Sequence, residues 1–205
     1  METVDGGRQR GSAAVGLVLA AGAGRRLGLG AKALLRSGGQ TLVQRAVGVL
    51  RESGCAPVLV VLGAQAEEVS TVVARAGGQA VVNADWASGL ASSFRAGVAA
   101  LPEDAGRVVV LLVDQPGVGS AVVARLLGQH RCGTVTAAEY GDGGARHPMV
   151  FDVDLARAAA ELAEGDRGAR AYLRRNPEVL HLVDCSDLGS SSDVDTPEDL
   201  HLLEP

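Results

Sequence analysis

Aromatic side chains are nearly absent from this chain: two Phe, two Tyr and one Trp make up 2% of 205 residues. That disfavours an aromatic-cored β-sandwich and leaves Ala, Val and Leu to fill the interior. Cysteine is also sparse. Cys55, Cys132 and Cys185 lie far apart and form neither a C-x-x-C pair nor a disulfide framework, so they read as reduced thiols of a cytoplasmic protein. No run approaches 18 uninterrupted apolar residues, which excludes a membrane-spanning helix. Positive charge is not in excess. The formal net charge is −5, so no basic footprint marks nucleic acid or an anionic membrane as a partner.

What the chain does have is a 47% hydrophobic, 21% charged composition and 28 glycines. Disorder as the overall state is ruled out, and many backbone positions are left free for tight turns or close ligand approach. Arg8 and Arg10 precede an apolar stretch at 13–21, and Ala21-Gly22-Ala23 resembles a signal-peptidase site. Arg25 and Arg26 follow at once, however, and cleavage would delete the first core strand. Residues 1–13 are therefore expected to be a disordered tail and 14–205 a single domain.

Apolar runs alternate with helical periodicity along the chain. Buried strands are expected at 15–20, 58–62, 80–83 and 108–113, and amphipathic helices at 41–53, 67–76, 88–101 and 120–130. Four β-α units in succession imply an α/β fold with a mostly parallel central sheet covered by helices on both faces. Strands at 134–138, 149–151 and 179–183 and helices at 155–163 and 168–174 follow. A last helix opens at Thr196-Pro197-Glu198-Asp199, where Thr caps and Pro takes the first helical position.

Open sheets of this kind bind ligands beyond the carboxyl ends of their strands. After the first strand comes Gly22-Ala23-Gly24-Arg25-Arg26-Leu27-Gly28, with Lys32 close behind. Bare glycine amides and three cations suit a triphosphate. The loop fails the dinucleotide fingerprint, because its third glycine is one place late and the second strand runs into Gly63-Ala64-Gln65 rather than an acid. It fails the P-loop pattern as well, because Gly28 is followed by Leu29 and Gly30. Val108 to Val113 delivers Asp114-Gln115-Pro116, and a carboxylate leaving an apolar strand suits Mg2+ held together with phosphate oxygens, or else caps a turn. Asp195 is placed to share that ion. Asp199 and Glu198 read as helix-terminus residues. The Asn83 to Ser93 segment, with Gly89, Ser92 and Ser93, offers short-range hydrogen bonds to a base, with Trp86 either stacking or packing over the loop. His147 and the segment Gly165-Asp166-Arg167-Gly168-Ala169-Arg170 are candidates for holding an anionic acceptor, or a turn histidine and a solvated turn respectively.

Leu19-Ala20-Ala21-Gly22-Ala23-Gly24-Arg25-Arg26-Leu27-Gly28 with Lys32 resembles the L-A-A-G-x-G-x-R-x-G…K signature of the MobA-like nucleotidyltransferases. Asn83 to Gly97, Asp114-Gln115-Pro116, His147-Pro148, the 165–170 segment and Asp195-Thr196-Pro197-Glu198-Asp199 resemble, in order, the molybdenum cofactor cytidylyltransferases within that group. The resemblance implies a Rossmann-like nucleotidyltransferase fold. It also implies transfer of a nucleotidyl group from an NTP, with CTP preferred, to the phosphate of molybdopterin with release of pyrophosphate, and a molybdoenzyme client for the product.

Under that resemblance Leu19, Ala20, Ala21, Gly22, Gly24, Arg25, Arg26 and Lys32 hold the nucleotide, and Asn83, Gly89, Ser92 and Ser93 lie where the base is read. Arg26, Lys32 and Asp114 act in catalysis, Asp114 and Asp195 hold magnesium, and His147, Asp166 and Arg170 face the acceptor. Relatives usually carry Pro before the lysine where this chain has Ala31, so a less rigid lysine approach is expected. Alternatives are guanylyl or uridylyl transfer to another phosphorylated acceptor, and a non-catalytic nucleotide-binding protein that delivers a cofactor. An oxidoreductase with a nicotinamide cofactor is disfavoured by the glycine spacing.

Overall fold

The computed structural model describes residues 14–141 and 146–204, so the tail expected at 1–13 lies outside the described residues. Its first strand, β1 (Val15–Ala20), is flanked on both sides, and its period-two alternation sends Leu17 and Leu19 to one face of the sheet and Val18 and Ala20 to the other. A hairpin of β2 (Arg36–Ser37) and β3 (Gln40–Thr41) leads into α1 (Leu42–Glu52). Thr41 and Gln44 form a capping box at its start. Then follow β4 (Val58–Leu62), α2 (Ala66–Ala76), β5 (Gln79–Val82), α3 (Leu90–Ala99), β6 (Arg107–Leu112) and α4 (Ser120–Gln129). The last third contributes β7 (Val135–Glu139), β8 (Met149–Asp152), α5 (Val153–Glu161), α6 (Arg170–Arg175) and β9 (Leu180–Asp184).

Seven strands make one sheet in the order β5-β4-β1-β6-β8-β7-β9. Pairings from β5 to β6 are parallel, as are β7 and β9, whereas β8 runs antiparallel to both neighbours. The chain leaves β1 toward β4 on one side and returns to β6 on the other. The carboxyl ends of β1 and β6 therefore open a crevice at the point where strand order reverses.

Helices α1, α2 and α4 cover one face, with Leu42, Val47, Leu50, Val73 and Leu126 packed against Val18, Val60, Leu62 and Leu111. α3 and α5 cover the other, where Phe94 meets Phe151 with ring centroids 5.9 Å apart. With so few aromatics, close approach of backbone replaces ring volume. Gly97 of α3 sits so near the sheet that a Cβ would come within 2.6 Å of Leu17.

The α/β architecture with helices on both faces matches the expectation from the alternation. Three details differ. The strand expected at 80–83 is an edge strand whose Val82 is exposed. The two-residue strands β2 and β3 are too short to leave a periodic signal. The closing segment Pro197–Leu203 is a 3-10 helix, although its expected cap is present, with Thr196 and Asp199 forming a reciprocal capping box.

Candidate functional site

The loop after β1 is shaped by its own glycines. Gly24 and Gly28 have φ of +58° and +67°, the Gly28 amide donates to the Gly24 carbonyl, and a Cβ on Gly24 would strike the Gly30 carbonyl oxygen at 2.5 Å. Gly22 is different: nothing lies within 4 Å of where its Cβ would be, so its missing side chain leaves open space at the cavity wall. Two further bonds seat the loop on the sheet. The Ala64 amide donates to the Ala21 carbonyl, and the Lys32 amide reaches the Gly22 carbonyl.

Three distant segments meet here. The Val113 amide donates to the Leu19 carbonyl, which sets Asp114 beside the β1 loop, and the Val194 amide donates to the Asp114 carbonyl, which brings in the segment Asp193 to Asp195. Lys32 closes the group: its Nζ lies 2.6 Å from Asp114 Oδ2 and also donates to Asp195 Oδ1. The Lys32 side chain is only 11% exposed. Burial pulls its pKa down, but the Asp114 charge and the hydrogen bonds to Asp114 and Asp195 more than offset this and hold it above the ordinary lysine value. Arg26, whose side chain is 78% exposed, stands 3.9 Å from Asp195. Asp193 adds a third carboxylate. Burial, then repulsion from Asp114, pushes it up to about 6 against the pull of a hydrogen bond from Gln115, and its Oδ1 has no partner among the described residues.

These groups line the mouth of a cavity of about 580 Å3. On the side of the β1 loop and the start of α3 stand Leu19, Ala21, Gly22, Gly24, Arg25, Arg26, Gly89 and Ser93. The far side has an apolar floor of Phe94, Val110, Leu112, Met149 and Phe151, rimmed by His147, Arg167 and Arg170. His147 is held well below the usual histidine range, at about 4, by burial that outweighs a hydrogen bond to the Val110 backbone, so it is neutral at pH 7.

Some candidates lie outside the cavity, and others take the structural alternative left open by the sequence. Ala20 is buried in β1, and neither it, Asn83 nor Ser92 lines the cavity. Asn83 donates to the Ser92 and Ser93 hydroxyls, while the Ser92 hydroxyl also lies within reach of the Asp85 and Gly89 carbonyls. Their hydrogen-bonding capacity goes into fixing the turn before α3, a demand that any buried amide and hydroxyl impose. Asp166 touches the cavity, but its Oδ1 accepts the Leu90 amide at 3.3 Å, and the Gly165 carbonyl accepts the Ala91 amide, so this loop caps α3 from outside. Trp86 packs over Gly63, with the Arg25 guanidinium 6.0 Å from its ring centroid. The Ala31 amide, which a proline would lack, donates to Gln65 Oε1 at 2.6 Å, so the segment leading to Lys32 is pinned after all.

Reasoning from sequence missed Gln65, Asp193 and the apolar floor, whereas Arg167 belongs to the 165–170 segment already singled out. For Gln65 a signal existed, since it follows a strand's carboxyl end. Asp193 lies two residues before Asp195, and both line the cavity on either side of the buried Val194.

The donor set fits a divalent cation: Asp114 and Asp195 already share one positive group, the Lys32 ammonium. Among the described residues no group of three or more His, Cys, Asp or Glu is arranged to hold an ion. An ion at Asp114 and Asp195 would take its other ligands from phosphate oxygens and water. Among the described residues no helix is long and apolar enough to cross a membrane, and Cys55, Cys132 and Cys185 are unpaired.

The chain is 44% identical over 194 residues to a nicotine blue oxidoreductase of Paenarthrobacter nicotinovorans, covering 92% of this chain and 95% of that protein. It is 33% identical over 163 residues to a probable molybdenum cofactor guanylyltransferase of Opitutus terrae, covering 79% and 78%. Among solved structures, Rv0371C of Mycobacterium tuberculosis in complex with manganese is 28% identical, with a TM-score of 0.75 over 94% of this chain and 98% of that one. The model of the MobA-like NTP transferase domain matches residues 16–179, and with the nucleotidyltransferase fold described above the chain belongs to that family.

Proposed function

We propose that this protein transfers a nucleotidyl group from an NTP to the phosphate of molybdopterin, releasing pyrophosphate. The observation that carries this reading is the meeting of Lys32, Asp114 and Asp195 at the mouth of a cavity walled by the bare β1 loop. In this reading the Gly22 to Arg26 loop and Lys32 grip the phosphates, and Ser93 and Gly89 border the base. Arg170 and Arg167 draw the acceptor's charge over the apolar floor.

An acceptor phosphate is already an anionic nucleophile, so no general base is needed. What remains is alignment and neutralisation of charge as pyrophosphate leaves. Arg26 and Lys32 supply cations on the leaving-group side. The apolar floor, with neutral His147 at its rim, keeps water away from the α-phosphate. A divalent ion held by Asp114 and Asp195 would supply further charge stabilisation on the phosphate oxygens; the Mycobacterium tuberculosis relative solved with manganese supports such an ion.

The sequence resemblance favours CTP as donor, whereas the Opitutus terrae relative is named for guanylyl transfer. Base choice rests on a few hydrogen bonds around the Gly89 to Ser93 turn. The test is pyrophosphate release from CTP, GTP, UTP and ATP with molybdopterin and Mg2+. Release with one nucleotide sets the donor, and release with none sinks the reading.

A second reading is favoured by one specific observation, the 44% identity to a protein named as an oxidoreductase. The missing G-x-G-x-x-G spacing excludes one dinucleotide motif at one loop, not redox chemistry over the apolar floor. Oxidation of a reduced nicotinamide cofactor with nicotine blue as acceptor, in the absence of any NTP, separates the two readings.

A further inference from the structure

Lys32 lies where a metal would lie. Its ammonium is bound by carboxylate oxygens of Asp114 and Asp195, the two groups that fit a divalent cation, and its side chain is largely buried among them. A divalent ion and the ammonium would compete for those oxygens. A divalent ion that arrives while Lys32 stays meets a unit positive charge within a few ångström at a partly buried site, where water screens the repulsion poorly. The lysine has a way out. It opens the short 3-10 segment Lys32–Leu34, and its backbone is held by Gly22 and preceded by the Gln65-bound Ala31, so the side chain can swing while its root stays fixed. The empty space beside Gly22 is where a polyphosphate would offer it a new anionic partner.

We propose that Lys32 is a resident counter-cation for Asp114 and Asp195, and that the divalent-ion site forms only when Lys32 is drawn onto a bound polyphosphate. This rests on the nucleotidyl-transfer reading for the identity of the polyphosphate. In this arrangement the metal-free protein carries no uncompensated carboxylate pair, and ion and nucleotide bind as a unit with reciprocal coupling.

The test is Mn2+ binding to the metal-stripped full chain without nucleotide, read from loss of the free-ion electron paramagnetic resonance signal. Lys32→Met and Lys32→Gln are expected to bind Mn2+ at least about tenfold more tightly than wild type, because removal of the ammonium leaves the carboxylates unpaired. Asp195→Asn on top of Lys32→Met removes the gain. A second readout keeps the test independent of variant folding. Lys32 is the only lysine in the chain, so an isotope-labelled lysine side chain gives one nuclear magnetic resonance signal, expected in the wild type to stay in place with Mg2+ alone and to shift when Mg2+ and an NTP are added together.

Variants that bind Mn2+ no more tightly than wild type, a gain that survives Asp195→Asn, or a lysine signal unmoved by Mg2+ and an NTP together each overturn the proposal. Pyrophosphate release by wild type decides the other question separately. Release without any gain in the variants removes only the exchange, and a gain without release from any NTP removes only the nucleotidyl-transfer reading.

Discussion

Gln65 Oε1 accepts the backbone N–H of Ala31 at 2.6 Å, across 34 residues of chain. Ala31 has φ −61°, a value proline would adopt without strain, yet proline would delete this donor and press its ring on the Gln65 oxygen. Gln65 is itself in the left-handed region at φ +50°, so the bond is held at some backbone cost. Gln65→Ala is expected to destabilise the fold by about 1 kcal/mol. Ala31→Pro is expected to destabilise the wild type but to be tolerated in Gln65→Ala. A double-mutant cycle by urea denaturation checks this, and additive effects would show that the two residues do not work as a pair.

Arg26 and Lys32 make separable predictions. Arg26 is exposed and makes one long ion pair, so Arg26→Ala is expected to lower turnover on the order of 10²-fold while leaving the urea midpoint unchanged. Lys32→Ala is expected to cut turnover by a similar factor and also to alter stability, because it leaves Asp114, Asp193 and Asp195 facing one another. Asp114→Ala is expected to be more severe in turnover than either. Pyrophosphate release measured beside circular dichroism separates the cases, and wild-type turnover in Asp114→Ala would remove that residue from the reaction.

How far the sequence could be read follows from which interactions are local. The β1 strand, its glycine loop and the exit of Asp114 from β6 are written in contiguous residues, and the sheet places them side by side because both strands end at the same edge. Strand order is not written that way. The antiparallel β8 is three apolar residues and one Asp, a run that carries no mark of the direction in which it pairs. Asn83 and Ser92 illustrate a different limit: polar residues at a helix start satisfy each other as readily as they satisfy a ligand, and only geometry shows which partner each has. The pinning of Ala31 was illegible because its partner lies on another loop.

His147 makes stability depend on pH. Its folded pKa of about 4 lies below the ordinary value of 6.5, so the folded state refuses a proton that the unfolded chain accepts. Its contribution is fully present above pH 6.5, declines as pH falls toward 4 and levels off below. The decline amounts to on the order of 3 kcal/mol. Asp193, raised to about 6, acts in the opposite sense, losing stability as pH rises through that range. A comparison of wild type with His147→Gln cancels the Asp193 contribution. The difference between their urea midpoints is expected to shrink on acidification from pH 7 to 4, and parallel profiles would show that the ring is not held neutral.

Asp166 separates a structural role from a recognition role within one side chain. Its Oδ1 accepts the Leu90 amide at 3.3 Å, near the positive end of α3. Gly89, at φ +116°, leaves room for it, since a Cβ there would come within 2.6 Å of that oxygen. Asp166→Ala therefore removes a cap donated from another loop and is expected to destabilise the fold by about 1 kcal/mol. If capping is its whole contribution, KM for the acceptor stays near wild type once the folded fraction is accounted for, whereas Arg170→Ala raises that KM without moving the urea midpoint. A raised acceptor KM in Asp166→Ala at unchanged stability would reverse the assignment and return Asp166 to the acceptor side of the cavity.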